Sequence, residues 1–320
     1  MLNLENVTAA ILGHATGDAL GVPVELNLRR NLRDNPVTEM RGYGAHNQPA
    51  GTWSGDTSLT IATLESISRC KKIDYEDILR NFVDWYSGGI FTAGGETFDC
   101  DPTTAKAIEN FLKGALPLHT GMADEYSNEN GSLMRMLPAA LYVYLTRGNN
   151  FDAAAMKIVH NISALTHGHP RTLIACGIYC IIAGEIFDGQ NLPAAIQTGL
   201  SKARAFYSHG KFSGEIFHYD DLFQENFAAT PEEKIVSRVY IVDNLKAALW
   251  SLLNTDNYRA AVLKAVNLGG DADTVGAIVG GLAGAAYGLA EIPAEWLAVL
   301  RRKDYLEKIA ADFYNSLDKE

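Results

Sequence analysis

Positive charge is in short supply: 27 Lys and Arg stand against 38 Asp and Glu, a net charge of -11. Binding polyphosphate needs clustered basic side chains, so a nucleic-acid partner is not expected. A small anion is still compatible, because a helix N-terminus or a bound cation can hold one. Cysteine is sparse as well. Cys70, Cys100, Cys176 and Cys180 form no CxxC pair, and "CGIYC" sets Cys176 and Cys180 on one helical face. Reduced core thiols of a cytoplasmic protein are expected rather than zinc ligands or disulfides. Missing too are a Pro/Ser-rich linker, a low-complexity tract and, in "MLNLENVTAAILG", the basic start and cleavage site of a signal peptide. The apolar run from Val275 to Ala290 falls short of the roughly 20 residues of a membrane helix. No other segment reads as a span, so no membrane partner is expected.

Alternating strand patterns are scarce, whereas helical periodicity recurs almost throughout. Asn6 is the expected N-cap of a first helix reaching about Leu20. "TSLTIATLESISR" reads as a second helix and "DYEDILRNFVDWYSGG" as a third, ended by Gly88 and Gly89. Further helical patterns follow, up to a closing "PAEWLAVLRRKDYLEKIAADFYNSL" read as one helix. The polar, aromatic stretch from Ser208 to Glu232 reads as a long excursion. The expected fold is all-α, one compact domain over residues 1–320.

Glycine recurs every fourth residue in two places: Gly13, Gly17 and Gly21, then Gly276, Gly280, Gly284 and Gly288. Each glycine in a helix costs about 1 kcal/mol relative to alanine. Two such stripes predict two helices in very close approach, which would carry Asp18 and Glu25 toward Asp271.

Three acidic motifs carry candidate chemistry. "GDALGVPVE" holds Asp18 and Glu25, "GTWSGDTSLT" holds Ser54, Asp56 and Thr57, and "GGDADT" holds Asp271, Asp273 and Thr274. All the donors are oxygens, which suits Mg²⁺ or Mn²⁺ better than zinc. Asp before Thr at a helix start is also ordinary capping, and any one motif alone is explained that way. Two such starts behind two glycine stripes tilt the reading toward a site.

"GDALGVPVE", "GTWSGDTSLTIATLESI", "FDCDPTTAKAI", "NGSLMRMLPAAL", "ALTHGHP" and "AVNLGGDADTVGAIVGGLAGAAYG" occur in the order of the signature blocks of the ADP-ribosylglycohydrolase family. The chain resembles that family from about Ile11 to Trp296, and its arginine-directed members most. The resemblance implies an orthogonal helical bundle with two divalent cations, Mg²⁺ or Mn²⁺, in a cleft. It implies hydrolysis of the glycosidic bond between ADP-ribose and a protein side chain, with an ADP-ribosylated protein or ADP-ribose as partner. By position, Ser54, Asp56, Asp271, Asp273 and Thr274 match metal ligands, Asp273 as the bridging carboxylate. Glu25 and Asp99 match acid/base residues. Asn130, Gly131 and Ser132 resemble a phosphate-cradling turn, expected at a helix N-terminus, and His167 and Tyr240 match the nucleotide pocket.

Departures from the family pattern are specific. Ser54-Gly55-Asp56-Thr57 stands where two consecutive aspartates are usual, so Gly55 leaves out a carboxylate. Asp101 stands where glycine is usual, and Arg238-Val239 replaces the Ser-Gly before the pocket tyrosine. The expected function is hydrolysis of arginine-linked ADP-ribose, weakened by Gly55. The alternatives are an ADP-ribose-binding or immunity-type protein, a hydrolase of serine-linked or O-acyl ADP-ribose, and structural reuse of the scaffold, as in jellyfish lens crystallins.

Overall fold

The computed structural model describes residues 2–317. Among them are fourteen α-helices and no strand beyond three isolated bridges. α1 (Leu4–Gly21), α2 (Arg29–Asp34), α3 (Gly55–Cys70), α4 (Tyr75–Gly88) and α5 (Pro102–Leu112) come first. The middle of the chain holds α6 (Leu137–Arg147), α7 (Ala153–Ala164), α8 (Pro170–Phe187) and α9 (Leu192–Tyr207). α10 (Ile241–Leu253), α11 (Tyr258–Val266), α12 (Ala272–Tyr287), α13 (Ala294–Val299) and α14 (Lys303–Leu317) complete it. One continuous apolar cluster runs through all of this, from Leu2 to Phe313. The Ser208–Glu232 excursion is a chain of short 3₁₀ turns wrapped over α8, α9 and α10.

α1 and α12 are buried on nearly every side, as helices apolar all round must be. They lie against each other backbone to backbone. A Cβ added to Gly17 would sit 2.0 Å from the Gly276 carbonyl oxygen, and one added to Gly280 2.2 Å from that of Gly13. No side chain fits in that space, which explains both stripes. The second stripe ends at Gly284. Gly288 has open space around it and instead ends α12 with φ +89°, a conformation that suits glycine.

Four expectations need correction. Asn6 is not the N-cap of α1: Asn3 is, accepting from the Asn6 N–H at 2.9 Å while the Asn6 side chain accepts from Asn3 N–H at 3.2 Å. This reciprocal box needs both residues, so the helix begins earlier. The closing helix is broken into α13 and α14 at Arg302, φ +52°. There the Arg302 guanidinium donates to the Thr92 carbonyl at 2.7 Å, and Trp53 donates to the Arg301 carbonyl at 2.9 Å. α2 was not anticipated; its only buried residue is Leu32, too little for a periodic signal. Finally, α8 is long and apolar enough to cross a membrane by composition, although 94% of it is buried inside the protein. It is a core helix. Cys176 and Cys180 lie in it as free, buried thiols.

Gly17→Ala is expected to cost about 3 kcal/mol, the upper range for overpacking, read as a lowered urea midpoint. Gly281→Ala is the control, since its Cβ would meet only ordinary contacts at 3.5 Å; it should be neutral or stabilising. Equal midpoints for the two variants would overturn the close-approach account.

Candidate metal centre

Asp18 projects from the last turn of α1 onto the start of α3. Its carboxylate accepts the Ser54 N–H at 3.0 Å, the Thr57 N–H at 3.1 Å and the Thr57 hydroxyl at 2.6 Å. The first glycine stripe thus delivers an anion to a helix N-terminus, where unpaired N–H groups favour it. Ser54 adds the ordinary N-cap, accepting from Asp56 N–H at 3.2 Å. The Ser54 hydroxyl in turn donates to Asp56 Oδ2 at 3.1 Å, and the Asp56 carboxylate faces α12.

α12 begins opposite. The Thr274 hydroxyl donates to the Asp56 carboxylate at 3.2 and 3.3 Å, so the two Asp-Thr motifs meet in space. Capping does not explain Asp271: its side chain accepts no backbone N–H from the first turn of its helix. Its carboxylate is instead held by the side-chain amides of Asn130 and Asn244, the latter at 2.7 Å. Asn244 is a site residue that carries no motif in the sequence and becomes legible only from α10 packing beside α12. Asn130 spends its amide on Asp271, and its N–H on the Val239 carbonyl at 2.9 Å. Asp273 is fully buried, and its Oδ2 has no hydrogen-bond partner.

Glu25 follows the short turn after α1 and is nearly buried. Its segment is pinned to the "GGD" turn: Leu26 N–H donates to the Gly270 carbonyl at 2.6 Å, and Gly270 N–H donates to that of Asn27 at 2.8 Å. Gly270 adopts φ +66° with the Ser237 carbonyl where a Cβ would be. The His46 imidazole bonds the Glu25 carboxylate through Nε2. His46 is a second residue that sequence reading missed. Ligand atoms of Asp18, Asp56 and Asp273 lie within 4.8 Å of one another, as do those of Glu25, His46 and Asp273. Asp273 belongs to both groups.

Asp99, φ +52°, keeps part of its surface in solvent while its carboxyl lies within electrostatic reach of Glu25, His46 and Asp271. Its carbonyl comes to rest over Gly55, 2.9 Å from where a Cβ would stand, with the Trp85 ring at 3.2 Å. A carboxylate-bearing residue at position 55 therefore requires the 97–101 loop to move.

The remaining candidates line a neighbouring wall. The turn carrying Asn130 pairs with the strip before α10 through an isolated bridge between Glu129 and Tyr240. Ser132 does not start an α-helix; it precedes a three-residue 3₁₀ turn, Leu133–Arg135. It is fully buried, its hydroxyl 2.9 Å from Ser163 Oγ and 3.4 Å from Cys176 Sγ. The expected helix N-terminus is absent because Pro138 and the packing of Met136 place the helix start at Leu137. Gly131 is closely covered by Asp101 Oδ2 and the His167 ring. His167 is fully buried, Nδ1 bonded to Thr166 Oγ1 at 2.9 Å, and its Nε2 lies 3.6 Å from Asp101 Oδ1. Tyr240 is half-buried, flanked by the Arg171 and Arg238 guanidinium groups at 6.0 and 5.9 Å from the ring centre. It is a wall residue rather than a core one.

Burial is the first cause of the charge state here. It raises the Asp18 carboxyl to about 6, against the hydrogen bonds of Thr57 and Ser54. Burial and then Glu25 raise Asp271 to about 7, and the same two raise Asp99 to about 7. Asp56 and Asp273 are pushed well above the usual carboxylate range by burial, then by neighbouring carboxylates. A set of buried oxygen donors that repel one another, one with an orphaned atom, fits a divalent cation.

The described residues thus form an all-helical bundle in which two helix starts gather buried carboxylates. The chain belongs to the ADP-ribosylglycohydrolase family, whose model matches residues 2–320. It is 28% identical to the ADP-ribosylarginine hydrolase Tri1 of Serratia proteamaculans (strain 568), over 99% of this chain and 81% of that one. It is equally 28% identical to the ADP-ribosyl-[dinitrogen reductase] glycohydrolase of Rhodospirillum rubrum, over 93% and 91% of the two chains. Among solved structures, a chain described as an ADP-ribosylglycohydrolase-related protein complex superposes with a TM-score of 0.77 at 28% identity, covering 98% of this chain and 99% of its own.

The raised carboxyls set a pH dependence. Groups that bind protons more tightly folded than unfolded stabilise the fold at low pH. That stability is lost as pH climbs from the ordinary carboxylate range through about 6 to about 7. The cation-free protein should therefore melt lower at about pH 8 than at about pH 5.5, and Mn²⁺ should raise the melting temperature more at the higher pH. A cation-free midpoint that rises across this window would contradict the assignment.

Proposed function

We propose that this protein hydrolyses the glycosidic bond joining ADP-ribose to an arginine side chain, with divalent cations, Mg²⁺ or Mn²⁺, held by Asp56, Asp271, Asp273 and Thr274. The observation that carries the reading is Asp273: a fully buried carboxylate with an unpartnered oxygen, shared by two groups of candidate ligands. The arginine linkage is supported by the likeness to the ADP-ribosylarginine hydrolase Tri1 of Serratia proteamaculans. Bound cations would supply positive charge against the carboxylate cluster, polarise sugar hydroxyls and activate a water.

The chain's own groups divide the proton work. Glu25, held by His46 at the inner edge, accepts a proton from the attacking water. Asp99, with its carboxyl raised to about 7, keeps a proton near neutrality and delivers it to the departing guanidine. The flanking carboxylates stabilise positive charge developing at the anomeric carbon. Asn130 and Asn244 fix Asp271, and Tyr240 offers a ring face beside two guanidinium groups for the nucleotide. A second reading, ADP-ribose binding with impaired turnover, rests on Gly55, which supplies no donor.

The test is release of ADP-ribose from ADP-ribosyl-arginine and ADP-ribosyl-serine with Mg²⁺, Mn²⁺ or EDTA. Release from the arginine conjugate is expected, abolished by EDTA, with Glu25→Gln lowering kcat by about 10²–10⁴. Tight binding of free ADP-ribose without release under any cation would replace the hydrolase reading with the binding one.

A further inference from the structure

The two groups of candidate ligands that share Asp273 differ in chemistry. Asp18, Asp56 and Asp273 offer only carboxylate oxygens, whereas Glu25, His46 and Asp273 include an imidazole nitrogen. His46 ends a 3₁₀ turn, Gly44–His46, followed by Asn47 in the left-handed region. The turn is seated firmly. Gly44, φ +67°, lies so close to the Pro23 carbonyl that a Cβ would be 1.9 Å from its oxygen, and Tyr43 pairs with Gln48 across the loop. Pro23 belongs to the segment that leads into Glu25, so the turn and the glutamate are positioned by the same contact. From the other side the imidazole packs on Phe98, 5.1 Å between ring centres, the residue just before Asp99. Its Nε2 faces Glu25, and only 19% of the His46 side chain is exposed. Independently, Asp273 Oδ2 is buried with no partner in the protein.

We propose that His46, Asp273 and one carboxylate oxygen of Glu25, whose other oxygen is left for the water, form a mixed nitrogen–oxygen cation position beside the all-oxygen one of Asp56, Asp271, Asp273 and Thr274, selective for a transition metal such as Mn²⁺, Co²⁺ or Zn²⁺ over Mg²⁺. The inference rests on the reading of this cleft as a cation centre and adds to it an imidazole ligand. Mg²⁺ takes oxygen donors in a strict octahedron and keeps its waters, whereas imidazole suits the later divalent ions. Position 55 offers no side-chain donor, whereas His46 and Glu25 add donors beside Asp273. One position then takes a hard cation and its neighbour a borderline one, bridged by Asp273.

The full chain loaded with Mn²⁺ is examined by electron spin-echo envelope modulation, with stoichiometry from calorimetry and folding from circular dichroism. The wild-type protein should show modulation from an imidazole nitrogen and bind a second Mn²⁺. His46→Gln should lose the nitrogen signal and weaken the second Mn²⁺ by about tenfold or more, with helical content and Mg²⁺ binding unchanged. Two bound Mn²⁺ without nitrogen modulation, or modulation that survives His46→Gln, overturns the mixed position alone. Failure of the wild-type chain to bind any Mn²⁺ or Mg²⁺ overturns the cation centre itself, and the inference with it.

Discussion

The contact on which the rest depends is the backbone-to-backbone packing of α1 on α12. At Gly17 and Gly280 the neighbouring carbonyl occupies the space of a Cβ. Two helices this close bring their ends into register: the last turn of α1, with Asp18, meets the first turn of α12, with Asp271 and Asp273. The glycines weaken each helix taken alone, and burial on all sides offsets that loss. The acidic cleft follows from this contact, because α3 is drawn in through Asp18, whose carboxylate takes three donors from its N-terminus.

Within the cleft the carboxylates serve two different ends. Asp18 is consumed by hydrogen bonds, and Asp271 is clamped by two amides. Asp56 and Asp273 are pressed together with less compensation, so burial and mutual repulsion hold them toward their neutral forms. The molecule stores an electrostatic debt that protons relieve at low pH and a cation relieves at neutral pH. Supporting residues fix the first kind of carboxylate so that the second kind converges.

Much of this was legible beforehand, for identifiable reasons. The four-residue glycine spacing reports a helix face directly, so the α1–α12 approach could be read without coordinates. The oxygen-only composition of the acidic motifs likewise pointed to cation chemistry. What stayed hidden depends on partners far away in the chain. Asn244 looks like any polar residue in a helix until α10 is set beside α12, and His46 lies in a loop with no periodicity. Asp18 was placed near the site, but its task as a cap for α3 required knowing which helix start it would meet. The helix start expected at Gly131 and Ser132 lies instead at Leu137, because a 3₁₀ turn, Leu133–Arg135, intervenes, and the Ser132 hydroxyl is buried against Ser163 and Cys176. The break at Arg302 is likewise set by Thr92 and Trp53, more than 200 positions earlier.

The bond from Thr274 to Asp56 spans 218 positions, and that from Tyr258 to Gly13 spans 245. A chain emerging from the ribosome therefore carries Asp18, Glu25 and Asp56 for most of its synthesis without the residues that complete them. Contacts of such separation form late and slowly. The carboxylate cluster is complete only once α12 is made and docked on α1. The order of synthesis thus leaves the acidic residues of the first sixty positions waiting for partners made more than two hundred positions later.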